Sequence, residues 1–139
     1  MRIMAVDLGL ARTGLAISDE GERLAAPIGT VAERDSARLL ERVAQQAQQH
    51  GAGMIVVGHP KNMDGTCGES ARRAEAFADA LAEHTGLEVR LWDERMTTMA
   101  AIGYLNSTDV RGKKRKSMID TVAATVILDG FLESRRLRG

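Results

Sequence analysis

The sequence predicts an α/β fold, a mixed five-stranded sheet with helices on both faces, in the order βββαβαβαα. Three observations lead there. The apolar runs Ile3–Val6 and Met54–Val57 lack the alternation of a half-exposed strand, so they read as central strands covered on both sides. The stretches that follow Asp35 and Thr66, and the one from Ile119, carry apolar residues at helical spacing. No linker, repeat or low-complexity segment interrupts the 139 residues, which are therefore expected to form one domain, 1–139, around a single core.

Ile3 to Asp7 is the first strand and Thr13 to Ser18 the second, joined by a short turn bearing Gly9 and expected to pair as an antiparallel hairpin. Leu24 to Val31 is a weaker third strand, and Pro27, which has no amide hydrogen to give, suits an edge. Asp35 is placed to cap a helix whose apolar face is Leu39, Leu40, Val43, Ala44 and Ala47, stopped by Gly51. Met54 to Gly58 is the fourth strand. Thr66 and Glu69 have the spacing of a capping box, opening a helix with Ala74, Phe77, Ala78, Leu81 and Ala82 inward and Gly86 at its end. Leu87 to Trp92 is the fifth strand, Thr97 caps a short helix through Leu105, and Ile119, Val122, Ala123, Val126 and Ile127 lay out the last helix. The first, fourth and fifth strands should be parallel, with the hairpin extending one side.

Composition excludes several classes. Aromatic residues make up 3% of the chain, too few for a platform that stacks single-stranded bases. Formal net charge is zero, so a polyanion must be met by a local basic patch. The one cysteine, Cys67, forms no internal disulfide, and neither a signal peptide nor an apolar stretch near 18 residues is visible; a cytoplasmic location away from the membrane is expected.

The acids carry the chemistry. Ends of parallel strands on one edge are the usual place for a site in open α/β sheets. Asp7 ends the first strand, Asp93 and Glu94 follow the fifth, and His59, Asn62 and Asp64 follow the fourth. Asp120 lies in the last helix beside the stripe of Ala123, Ala124, Ile127 and Phe131. A carboxylate at the rim of a buried strand costs several kcal/mol, roughly 2 to 7, unless it meets a cation or donors. Asp7 therefore needs a metal ion, a basic side chain or the amides of a glycine loop. Acids gathered from separate elements repel one another without a cation. Oxygen-only donors suit Mg²⁺ or Mn²⁺, and two such ions can stabilise the attacking and leaving oxygens of a phosphodiester. Glu94 has a plainer alternative in a surface pair with Arg90 or Arg95, and Asp93 in capping the helix at Thr97.

Four segments together, Asp7-Leu-Gly-Leu-Ala-Arg-Thr-Gly14 continuing to Asp19, Val57-Gly-His-Pro-Lys-Asn-Met-Asp-Gly-Thr66, Asp93-Glu-Arg-Met-Thr-Thr98 and Asp120-Thr-Val-Ala-Ala124, resemble the YqgF family, also called the RuvX-like or pre-16S rRNA nuclease family. The resemblance spans essentially the whole chain. It implies an RNase H-like fold related to Holliday-junction resolvases, with catalytic, metal-holding acids at Asp7, Glu94 and Asp120, and cleavage at the 5′ end of the small-subunit ribosomal RNA precursor. Two positions depart from the family pattern: Ala11 stands where the first residue of a Lys-Arg pair is usual, leaving Arg12, and His59 replaces a leucine. Neither removes a metal ligand.

Arg111-Gly-Lys-Lys-Arg-Lys116 places five cations in six positions just before the helix that bears Asp120. Lys113, Lys114, Arg115 and Lys116, with Arg12, are expected to form a mobile clamp on a nucleic-acid backbone. The partners are then structured RNA such as pre-16S rRNA, or branched DNA, met by a monomer or homodimer. Two other classes stay open: a catalytically silent RNA-binding assembly factor, and a nucleotide-binding module, because Asp-x-Gly also resembles the phosphate loop of actin-like and sugar-kinase folds.

Overall fold

The computed structural model describes residues 1–60, 64–94 and 112–137, with the side chains of its last helix described from residue 122. The elements are β1 (Arg2–Asp7), β2 (Arg12–Ser18), β3 (Ala25–Ala32), α1 (Ser36–Gln49), β4 (Ala52–His59), α2 (Glu69–Thr85), β5 (Glu88–Asp93) and α3 (Gly112–Leu137). The strands form one sheet in the order β3-β2-β1-β4-β5. β1 and β4 pair in parallel, as do β4 and β5, whereas β1–β2 and β2–β3 are antiparallel. Pro27 thus sits in an edge strand, opposite Ala16 and beside the register shift between Leu15 and Ala16.

Strand alternation sorts the core into two layers. Met4, Val6, Leu15, Ile55 and Val57 face α1 and α2, meeting Leu39, Val43, Phe77 and Leu81. Ile3, Ala5, Ala16, Met54 and Val56 face the other way, against Ala124, Ile127, Leu128, Phe131 and Leu132 of α3. The central strands are therefore covered on both sides, which is why they read as unbroken apolar runs. Asp35 caps α1 by accepting a hydrogen bond from the Ala37 amide at 3.0 Å.

Three expectations need correction or fall elsewhere. The Thr66–Glu69 capping box does not form, because α2 starts at Glu69 after Gly68, and both the amide and the hydroxyl of Thr66 donate to the Asp64 carboxylate, at 3.0 and 2.7 Å. Lys113 to Lys116 lie inside the first turns of α3, not in a loop ahead of it; lysine and arginine are good helix formers, and Gly112 opens the element. The short helix expected from Thr97 to Leu105 lies outside the described residues, as do Asn62, Arg95 and Arg111.

Candidate active site at the carboxyl edge of the sheet

Asp7, Gly58 and Glu94 meet on the α3 side of the sheet. Asp7 ends β1 opposite Gly14 of β2 and shares the face of Ile3 and Ala5. On β4 the same face is carried by Met54 and Val56, then by Gly58, which pairs with Trp92 of β5. Glu94 follows β5, one full strand away from β1. To reach Asp7 its side chain crosses over β4, and it does so at Gly58: a Cβ there would lie 2.8 Å from the Glu94 carboxyl carbon and 2.8 Å from Ile127 Cδ1. A glycine inside an otherwise apolar strand is a known mark of such close approach. Its role was not recognised from the sequence, nor was that of Arg73.

The two acids share a proton. Burial, the negative charge of Glu94 and a hydrogen bond to it together push the Asp7 carboxyl up to about 8. Glu94 is also raised, by burial first; the hydrogen bond with Asp7 opposes that rise and the charge of Asp93 adds to it. Asp7 therefore keeps its proton near neutral pH and turns it toward the Glu94 carboxyl. Two carboxylates brought out of water against each other offer oxygen donors only, the set that suits Mg²⁺ or Mn²⁺.

The turn before β2 is shaped for this edge. A Cβ at Gly9 would collide with the Arg12 carbonyl oxygen, so the chain can close here only with glycine. Arg73 of α2 donates from Nη2 to the Gly9 carbonyl at 2.9 Å, tying the turn to the neighbouring helix. Arg12 begins β2 on the same rim. Asp120 belongs to α3, one turn before Ala124, which packs against the sheet; its side chain, like those of Lys113, Lys114, Arg115 and Lys116, lies outside what is described. Of the expected site residues, the structure thus brings Asp7 and Glu94 into contact. His59 is buried and faces α2 rather than this edge. A hollow of about 760 Å³ lined by Glu41, Gln48, Ala52, His84 and Leu87 sits at the opposite ends of the strands, away from the acids.

The family model of RuvX, described as Holliday junction resolvase, matches residues 1–134. The chain belongs to the RuvX family. A Bacillus cytotoxicus protein named "Putative pre-16S rRNA nuclease" is 43% identical over 137 residues, covering 97% of this chain and 100% of that protein. The Lachnospira eligens protein of the same name is 42% identical over 139 residues, covering 98% and 99%. Among solved structures, T. thermophilus RuvC in complex with Holliday junction substrate matches with a TM-score of 0.60 at 12% identity, over 98% of this chain and 96% of that one. The fowlpox virus Holliday junction resolvase matches at 0.56 and 14%, over 96% and 99%. At such low identity these two establish the fold, which is RNase H-like. Within this RuvX chain, the acid pair lies on the edge where parallel strands β1, β4 and β5 all end.

Proposed function

We propose that this chain is a divalent-metal-dependent nuclease, one nuclease domain acting in the cytoplasm on structured RNA, with 5′-end processing of pre-16S rRNA as its reaction. The observation that carries the reading is the Asp7–Glu94 pair, two acids held in hydrogen-bond contact across Gly58. Asp7, Glu94 and Asp120 would hold Mg²⁺ or Mn²⁺, in two sites. When bound, such ions supply Lewis-acid stabilisation of the attacking and leaving oxygens of a phosphodiester. The chain's own contribution is placement: β1 fixes Asp7, Gly58 lets Glu94 cross, and the turn held by Arg73 keeps Arg12 beside the strand path. The curated relatives' name supports an RNA substrate. A second reading, resolution of four-way DNA junctions, is supported by the RuvX description and by the resolvase fold.

The experiment is incubation of the chain with precursor rRNA, plain RNA and a four-way DNA junction in Mn²⁺. Cutting confined to the precursor is the expected result. Junction cutting alone moves the assignment to the second reading, and no cutting of any substrate leaves an RNA-binding assembly factor. In the same samples Mn²⁺ should stabilise the fold by mass action, by about 2.7 kcal/mol at a hundredfold excess over the dissociation constant, and so raise the melting temperature. Unchanged melting together with undiminished cutting in chelator would remove the metal from the reading.

The cations at the start of α3 give a separate prediction. If Lys113, Lys114, Arg115 and Lys116 neutralise phosphates, replacing all four with Ala weakens every nucleic acid tested to a similar degree. The slope of log affinity on log salt should fall in magnitude by roughly 0.7 per contact on single strands and 0.9 on duplex. All four engaging gives a change of about 3, and an unaltered slope assigns the binding surface to Arg12 with Arg135, Arg136 and Arg138 near the C-terminal end.

A further inference from the structure

β4 presents successive residues to opposite faces of the sheet, so Gly58 opens toward the acid pair while His59 points to the α2 side. His59 is 7% exposed, and among the described residues its Nε2 has no hydrogen-bond partner. A buried imidazole nitrogen left in that state is unusual enough to call for an explanation. The Glu75 carboxylate of α2 stands 3.5 Å from it, an ion-pair distance without a hydrogen bond. Cys67, two residues before α2, brings its thiol to the same place: His59 nitrogen, Cys67 Sγ and a Glu75 oxygen all lie within 4.8 Å of one another.

We propose that His59, Cys67 and Glu75 form a zinc site, separate from the acid edge and on the other face of the sheet. The donor set decides the ion. Imidazole and thiolate beside one carboxylate suit Zn²⁺, a borderline-soft ion, and the nitrogen and sulfur donors do not suit Mg²⁺, which takes oxygens. Tetrahedral zinc with bonds of about 2.0 to 2.3 Å spaces its donors roughly 3.3 to 3.8 Å apart. The observed spacing therefore closes onto an ion by shifts of about 1 Å, which Cys67 on its exposed segment and the half-exposed Glu75 side chain can supply. His59 is held by the strand and serves as the anchor. On binding, the Cys67 thiol gives its proton to solvent and coordinates as thiolate. Water completes the fourth position. The ion ties the end of β4, through His59, to Cys67 and to Glu75 of α2. The proposal does not depend on the nuclease reading.

The test uses the full chain, reduced and stripped of metal, titrated with Co²⁺ as the visible stand-in for zinc. A thiolate-to-cobalt charge-transfer band should grow to saturation at one equivalent and be bleached by Zn²⁺. Glu75→Gln, which preserves volume and fold, and His59→Leu should each weaken Co²⁺ binding by more than the roughly 10- to 100-fold typical of losing an outer partner. Asp7→Asn should leave the band intact, because the acid edge is elsewhere. Absence of the band at stoichiometric Co²⁺ overturns the proposal. So does a band that Glu75→Gln and His59→Leu leave unchanged, since Cys67 would then be binding as a solitary thiol.

Discussion

Asp7→Asn is expected to lower cleavage by at least ~10²-fold, the scale of losing one preorganised charge-stabilising group, while making the metal-free protein more stable at and above neutral pH. The two effects have one origin. Folded Asp7 holds a proton up to about 8, whereas the unfolded chain releases it near the ordinary value of 3.8. The folded state therefore binds the extra proton between those values, so its stabilisation is complete below about 4 and is lost as pH rises through about 8. In chelator, wild-type stability should decline across that window by up to ~ a few kcal/mol. Asparagine has no proton to lose, and its variant should show little of that decline. With metal present the proton is the competitor, so ion affinity and cutting should rise with pH toward 8. Urea unfolding from pH 4 to 9 in chelator, beside cleavage in Mn²⁺, checks both halves; a wild-type profile that is flat in chelator would contradict the shared proton.

Gly58→Ala should be the most damaging change of a single methyl group. The new Cβ would collide with both Glu94 and Ile127, and overpacking of this kind costs about 1–3 kcal/mol. Activity should fall with it, because the only described route from β5 to Asp7 passes over this position. Pairing the change with Ile127→Val separates the causes. Removing Cδ1 makes room on the α3 side, so stability should largely return. Glu94 is still displaced, so cleavage should not. Recovery of both in the double variant would show that the crossing of Glu94 is dispensable.

How much of this was legible varies by residue. Asp7 stood out because a charge after Ile3-Met4-Ala5-Val6 violates the pattern of a covered strand. Glu94 was placed by the rule that parallel strands end on one edge, and the parallel pairing of β1, β4 and β5 was readable from apolar runs separated by helical periods. Contact between the two acids was not readable, since it depends on what stands between them, and glycine at 58 looked like one more residue of an apolar strand. Thr66 failed as a cap for a local reason: Asp64, two residues earlier, takes both its amide and its hydroxyl. His59 and Cys67 each drew attention singly, but their meeting with Glu75 was not readable, because strand, loop and helix bring the three together at spacings that match no compact metal motif.

The order of elements has a consequence for synthesis. α3 covers β1, β2 and β3, yet it is made after all of them and after α1, β4, α2 and β5 as well. Ile3, Ala5 and Ala16 must stay without their partners Ala124, Ile127 and Leu132 until nearly the whole chain has emerged. The α1 and α2 layer can close earlier, against the opposite face. A nascent chain of this kind carries one finished apolar layer and one bare one, the condition in which collapsed intermediates associate. It also holds back Asp120, the third acid of the proposed site, until after Asp7 and Glu94 have been made.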